Sequence, residues 1–202
     1  MIVTAAAAIF FGALAIMGAL AGRAICAGVE PAADGPATGT PPYAVLVVGS
    51  ALIGGFLLAA KFTPLEIGIA AIVLFALVAC WCTDVICGMV PDAFTLVPLA
   101  ALLLFSFAQH DWWIAFSAAI AFAPFAVAAL FTRGYGMGWG DAKLVALCGA
   151  ALGAPVAAMA LAVACAAAVV GYRLAGAARS PIAFAPYIAA ATAVALPLGL
   201  AH

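Results

Sequence analysis

The sequence contains very few charged residues. Of its 202 residues, 6% are charged and 70% are hydrophobic, and the mean hydropathy is +1.37. Soluble domains carry roughly a quarter charged residues, so this composition excludes an ordinary soluble protein. The net charge is only -1 and no block of basic residues occurs, which excludes the electrostatic footprint of a nucleic-acid-binding protein. The composition predicts a polytopic membrane protein that sits in a lipid bilayer.

Cysteine pairs of the Cys-x-x-Cys type are also missing. The sequence has six cysteines and no Cys-x-x-Cys pair, so a zinc site or a disulfide framework has little support. Most of the cysteines lie in apolar surroundings, and we interpret them as buried, inert thiols. We expect neither a metal ion nor a cofactor. The cysteines are Cys26, Cys80, Cys82, Cys87, Cys148 and Cys165.

Rare charges and Pro or Gly breaks divide the chain into apolar segments. A helix needs roughly 20 apolar residues to cross a hydrocarbon core of about 30 Å. We predict an all-α membrane helix bundle of about eight transmembrane segments, forming one membrane-embedded domain over 1–202. Six segments are the alternative, if the short sixth is re-entrant or the first is removed. The segments are 2–22, 43–60, 65–82, 92–109, 112–131, 142–152, 156–172 and 182–200.

The basic residues predict the orientation, because they are retained on the cytoplasmic side. With eight alternating segments, all basic residues except Lys61 fall on one face. This predicts that both termini lie outside and that the polar stretch 23–42 is a cytoplasmic loop. Asp84, Asp92 and Asp141 fall on the same cytoplasmic face, although their charge was not used to choose it.

Asp141 is the strongest candidate for chemistry. It lies at the start of an apolar helix, and an ionisable side chain at the edge of a membrane helix is by default a functional candidate. Glycines precede it at every second position, leaving a backbone that a peptide substrate could approach. The alternatives are a helix cap and a flexible interhelical loop. The glycines are Gly134, Gly136, Gly138 and Gly140.

Asp84 is the second candidate. It follows another apolar segment, and its alternative role is that of a solvated loop acid. Pro91 and Asp92 have the chemistry of a helix start, so we interpret Asp92 as structural. Lys143 would lower the proton affinity of the two acids or bind a substrate carboxylate. Alternatively, its side chain would extend to the membrane interface.

Two such acids, brought together, predict a particular chemistry. Carboxylates within a few Å of each other cannot both stay ionised, so they share one proton. One can then activate a water while its protonated partner polarises a peptide carbonyl. The pair of Asp84 and Asp141 therefore suggests an intramembrane aspartyl protease.

The two acidic motifs resemble those of the type IV prepilin peptidases, which are GxGD membrane aspartyl proteases. The resemblance extends from about residue 65 to the C-terminus. It implies that Asp84 and Asp141 are the catalytic pair, supported by Gly138, Gly140, Lys143, Pro91 and Asp92. The matching stretches are Asp84 followed by Val90-Pro91-Asp92, then Gly138-Trp139-Gly140-Asp141-Ala142-Lys143-Leu144, and Phe184-Ala185-Pro186-Tyr187 in the last helix.

The resemblance also implies a substrate and a location. Peptidases of this kind cut prepilins or pseudopilins of type IV pili and secretion systems at the cytoplasmic face of the inner membrane. The cut follows a glycine that precedes the hydrophobic helix of the substrate. Large members carry a cytoplasmic domain with two Cys-x-x-Cys pairs, linked to N-methylation. Here that place holds only the loop 23–42 with Cys26, so the minimal Tad (Flp pilus) peptidases are more similar and methyltransferase activity is not implied.

Two other classes of function are alternatives. An ion- or proton-coupled transporter would relay ions through intramembrane acids, but the sequence shows no internal repeat and no candidate acid at the midplane. A non-catalytic scaffold would tolerate the loss of both aspartates. Small residues over 156–171 would let helices pack closely, but nothing in the sequence specifies an oligomer.

Overall fold

The computed structural model describes residues 2–28, 39–132, 137–174 and 183–200. Within these ranges the chain forms eight α-helices and no strand. Four of the helices, α1, α3, α5 and α7, are long and apolar enough to cross a membrane. The predicted all-α polytopic membrane bundle is confirmed. The helices are α1 Ile2–Cys26, α2 Tyr43–Ala59, α3 Pro64–Cys87, α4 Asp92–Ala108, α5 Trp113–Phe131, α6 Trp139–Leu152, α7 Ala154–Leu174 and α8 Ala185–Gly199.

Several helix ends differ from the sequence prediction. Helix α1 continues past Arg23 to Cys26, so the predicted loop 23–42 begins inside a helix, and its residues 29–38 lie outside the described residues. Helix α3 continues through Asp84 to Cys87, so the alternative role of Asp84 as a solvated loop acid is wrong. A single charge near a helix end does not stop the helix. Gly88 does, because it adopts the left-handed conformation (φ 66°) that is common just after helices.

Helix α3 lies at the centre of the bundle and contacts α1, α2, α4, α6 and α8. Its start is fixed by a capping box. The Thr63 hydroxyl accepts the Glu66 N–H at 3.3 Å, and the Glu66 carboxylate accepts the Thr63 N–H at 2.6 Å. With Pro64 at the first helical position, this is strong local chemistry for a helix start. The position of α3, which carries Asp84, is therefore fixed at its N-terminal end by the capping box and along its length by packing against the neighbouring helices.

Helix α6 is short, and most of its side chains are buried. Leu144, Val145 and Leu147 are among the buried residues. Its contact with α5 depends on Gly149, where an added Cβ would lie 2.6 Å from the Ala121 Cβ and from the Ser117 carbonyl oxygen. Only a glycine lets the two backbones approach this closely. Helix α6 starts at Trp139, three residues before the predicted segment, so Asp141 lies within its first turn.

The candidate acids lie at one end of the bundle, which we call the acidic end. Here the C-terminal ends of α1 and α3 meet the N-terminal ends of α4, α6 and α8. The direct contacts are Cys26 with Cys87, Asp84 with Ala185, and Asp92 with Lys143. The sequence prediction that the three aspartates share a face agrees with this arrangement.

Candidate active site

Asp84 lies in the last turn of α3 and is 7% exposed. Its Oδ2 atom accepts a hydrogen bond from the backbone N–H of Ala185 at 2.9 Å, and the Phe184 N–H also donates to this carboxylate. Backbone N–H groups at the start of a helix have no partner within the helix and readily bind anions. The start of α8 therefore holds the Asp84 carboxylate in place where little water can reach it.

Asp141 is the third residue of α6 and is half-buried. Its carboxylate accepts a hydrogen bond from the backbone N–H of Gly138, as an acidic side chain does in the second half of a capping box. A Cβ at position 138 would lie 3.3 Å from the Asp141 Oδ2, so glycine leaves the space beside this oxygen open. Gly138 is the N-cap residue of α6, and Asp141 lies in the first turn, where its negative charge interacts favourably with the helix N-terminus. Gly134 and Gly136 lie outside the described residues.

The two acids come from separate helices and interact with each other. The charge of Asp141 acts on Asp84, and the buried Cys80, one turn before Asp84 in α3, lies within the electrostatic reach of both. Two carboxylates whose charges act on each other, one of them almost fully buried, favour sharing a proton over double ionisation. Such a pair could supply a general acid and a general base.

The loop between α3 and α4 lies directly against the start of α6. A Cβ added to Gly140 would lie 2.8 Å from the Val90 Cβ and 3.2 Å from the Val90 carbonyl oxygen. Pro91 then serves as the N-cap residue of α4, with extended backbone angles. The two acidic motifs of the sequence are therefore in contact through Gly140 and Val90.

Lys143 forms an ion pair with Asp92, with 2.6 Å between the Lys143 Nζ and the Asp92 Oδ1. Sequence reasoning missed this pair and assigned Lys143 to the catalytic acids, to a substrate or to the membrane interface. The available signal was that both residues occupy first turns of helices predicted to start on the same face. The side chains are 29% and 60% exposed, so the pair contributes at most about 1 kcal/mol.

Cys26 and Cys87 form a disulfide with a Cα–Cα distance of 5.9 Å. It joins the ends of α1 and α3 at the acidic end, close to Asp84. The interpretation of all six cysteines as inert thiols is therefore wrong for this pair. The two residues are 61 positions apart in the sequence, so no local pattern predicted their contact. Cys80, Cys82 and Cys148 are buried free thiols, while Cys165 is exposed. In the described part of the chain, no three His, Cys, Asp or Glu side chains are grouped as metal ligands.

A family model described as the type IV leader peptidase family matches residues 70–172, just over half of the chain. The chain belongs to the type IV leader peptidase family. The predicted resemblance is thereby confirmed at the level of the family, and the protein is a peptidase. No curated protein and no solved structure gives a significant match.

The family match includes both acids of this leader peptidase, together with the Val90 loop and Gly140. The segment that holds Asp84 from the start of α8, Phe184 and Ala185, lies beyond the matched residues. Sequence reasoning found this segment through its resemblance to a family motif, but it did not predict a backbone contact with Asp84. That contact depends on where α8 begins in space.

Proposed function

We propose that this leader peptidase is an aspartyl endopeptidase that removes the leader peptide of prepilin or pseudopilin substrates. The observation that supports the proposal is that Asp84 and Asp141, from two different helices, lie at the acidic end of the bundle, where the charge of Asp141 acts on the buried Asp84. Each carboxylate is held by backbone N–H groups at a helix start. Fixed orientation is what a pair of acids needs to act on one water and one peptide bond.

The proposed mechanism uses the two aspartates as a unit. One ionised carboxylate takes a proton from a water held between the pair, and the water oxygen attacks the scissile carbonyl carbon. The protonated partner donates a hydrogen bond to the carbonyl oxygen as negative charge develops there. When the C–N bond breaks, a proton passes to the leaving amine. The pair is restored with one shared proton, and no covalent intermediate forms.

The proposed location is the inner membrane, with the acidic end facing the cytoplasm. The excess of basic residues on this face supports it. We further propose that residues 1–202 form a single peptidase domain in which the short connection between α1 and α2 stands in place of a methylase domain, as in minimal peptidases of the Tad type. The proposal is tested by cleavage of a co-expressed prepilin, read as a mobility shift on a gel. A wild-type protein that leaves every candidate prepilin uncut would contradict it.

The cytoplasmic orientation predicts the redox state of Cys26 and Cys87 in growing cells. Because the cytoplasm keeps thiols reduced, we expect both residues to be thiols there and to pair once the membranes are oxidised. Cells are quenched with acid, denatured and alkylated, and each cysteine is mapped by mass spectrometry. The buried Cys148 is the control for a permanent thiol. If Cys26 and Cys87 are protected in cells until a reductant is added, the acidic end faces the oxidising side and the orientation is wrong.

The ion pair of Asp92 and Lys143 is expected to be structural. Because the pair is exposed, Asp92→Asn should leave most of the cleavage activity and cost at most about 1 kcal/mol of stability. Lys143→Gln should have the same small effect, and the double variant should lose no more than either single one. Cleavage rate and thermal midpoint in detergent are the measurements. A much larger loss of rate in Lys143→Gln than in Asp92→Asn would show that Lys143 acts on the aspartates or on the substrate.

A further inference from the structure

An open apolar groove runs between α7 and α8, with α3 as its floor. We call it the α7–α8 groove, and its volume is about 810 Å³. On α7 it is lined by Val156, Met159, Val163 and Ala167, which recur at helical spacing and so share one face. None of the residues that line the groove is charged. Its surface is therefore suited to an apolar occupant.

One end of the groove reaches the candidate active site. Val85, in the floor of the groove, directly follows Asp84 in α3. Ala183 and Pro186, in the wall of the groove, stand on either side of the segment whose Ala185 N–H binds Asp84. The groove thus reaches the residues next to Asp84, and an occupant of this end of the groove lies near Asp84.

The dimensions of the groove fit a helix. Its lining on α7 covers 156–167, a length of about 17 Å at 1.5 Å per residue. On the α8 side the lining extends over 183–198, about 23 Å at the same rise. An open groove of this length can receive one face of a helix about 10 Å in diameter and leaves the other face towards lipid.

Small side chains form the deeper part of the groove. Ala160 and Ala164 line it from α7, and Ala190 and Ala191 line it from α8. In membranes, where lipid is as apolar as a helix, association depends on close packing, and alanine allows two backbones to approach. Nearer the acids, Tyr187 of α8 packs onto the backbone of Gly171 in α7 and forms part of the groove lining.

We propose that the α7–α8 groove binds the apolar helix that follows the scissile bond of the substrate. This proposal rests on the proposed function and specifies how that function selects its substrate. The helix packs into the groove, the leader extends out of the acidic end, and the bond between them lies beside Asp84 and Asp141. The position of the cut is then set by the point at which the substrate helix leaves the groove.

The direct test is photo-cross-linking in membranes. A benzophenone amino acid is placed at Val163, which is 63% exposed in the groove. The control position is Leu104 on α4, which is 69% exposed, at a similar depth and outside the groove. The Asp141→Asn background keeps the co-expressed prepilin uncut, so that binding is read without cleavage. We expect the probe at position 163, and not the one at 104, to link to the apolar helix of the prepilin.

Other products at position 163 would overturn the proposal. Links to lipid only, to a second copy of the chain, or to prepilin at an efficiency equal to that of position 104 would each show that the groove is not the substrate site. Because this test reads binding in an inactive variant, its failure is separate from a failure of the wild type to cut.

A kinetic test uses a groove-filling variant. Ala190→Trp should raise KM for the helix-bearing prepilin at least about tenfold, because the indole occupies the space of the substrate helix, and kcat should fall less. Ala101→Trp, at an exposed position of α4 outside the groove, should leave KM unchanged. Membrane levels and thermal midpoints establish that both variants fold. A folded Ala190→Trp protein with the wild-type KM would overturn the proposal.

Discussion

Leader cleavage is expected to be abolished by Asp84→Asn and by Asp141→Asn, with a loss of about 10³-fold or more in each case. Asparagine has nearly the shape of aspartate, but it cannot take up or release the proton that the mechanism moves. Its side-chain carbonyl can still accept the Ala185 N–H at position 84 or the Gly138 N–H at position 141. The variants should therefore accumulate in the membrane as folded protein.

The measurement is the mobility shift of a co-expressed prepilin at matched levels of wild type and variants. Asp92→Asn is the matched control, since it removes an acid from the same end of the bundle and should still cut. Retained cleavage by Asp84→Asn or Asp141→Asn would contradict the two-aspartate mechanism. If the wild type also fails to cut, the substrate is wrong or the function is not proteolysis, and an assay of proton or substrate flux becomes the next experiment.

Gly140→Ala is expected to lower the cleavage rate by about tenfold to a hundredfold. Alanine favours a helix more than glycine does, so the loss arises entirely from the tertiary contact. The new Cβ would lie 2.8 Å from the Val90 Cβ, closer than such atoms approach in proteins. Either the loop before α4 or the start of α6 must shift, and a displacement of about 1 Å near the reacting groups costs about a hundredfold in rate.

The matched control for Gly140→Ala is Gly68→Ala in α3, where an added Cβ meets no atom within 4 Å. This control should retain the wild-type rate. Val90→Gly, introduced together with Gly140→Ala, removes the opposing Cβ and should restore part of the activity. Initial rates at matched membrane levels decide the outcome. Equal rates for Gly140→Ala and Gly68→Ala would show that the Val90 contact does not position the acids.

Some of the fold and of the candidate site was predictable because it depends on local sequence. Apolar runs of sufficient length predict membrane helices, and alternation of those helices across the bilayer puts Asp84, Asp92 and Asp141 on one face. Pro91 before Asp92 has the chemistry of a helix start, and α4 begins there. The family resemblance also follows from short motifs, since each contains its distinctive residues within a few positions.

The helix ends were less predictable because they depend in part on contacts with distant segments. Charged residues were taken as the ends of apolar segments, yet α1 and α3 continue past Arg23 and Asp84. A charged residue near the end of a helix can remain part of the helix when a backbone group binds its side chain or when the side chain lies in a polar environment. The Ala185 N–H provides that partner for Asp84, and it belongs to a helix far away in the sequence.

The sequence by itself determined the class of the protein, the approximate helices and the two acids, because these follow from composition, apolar runs and short motifs. The tertiary structure alone decided which groups contact those acids: the start of α8 at Asp84, Val90 against Gly140, Lys143 with Asp92, and Cys26 with Cys87. It also decided that α7 and α8 leave an open groove leading to Asp84. Contacts between distant segments depend on how closely whole helices pack, and no local pattern in the chain specifies that distance.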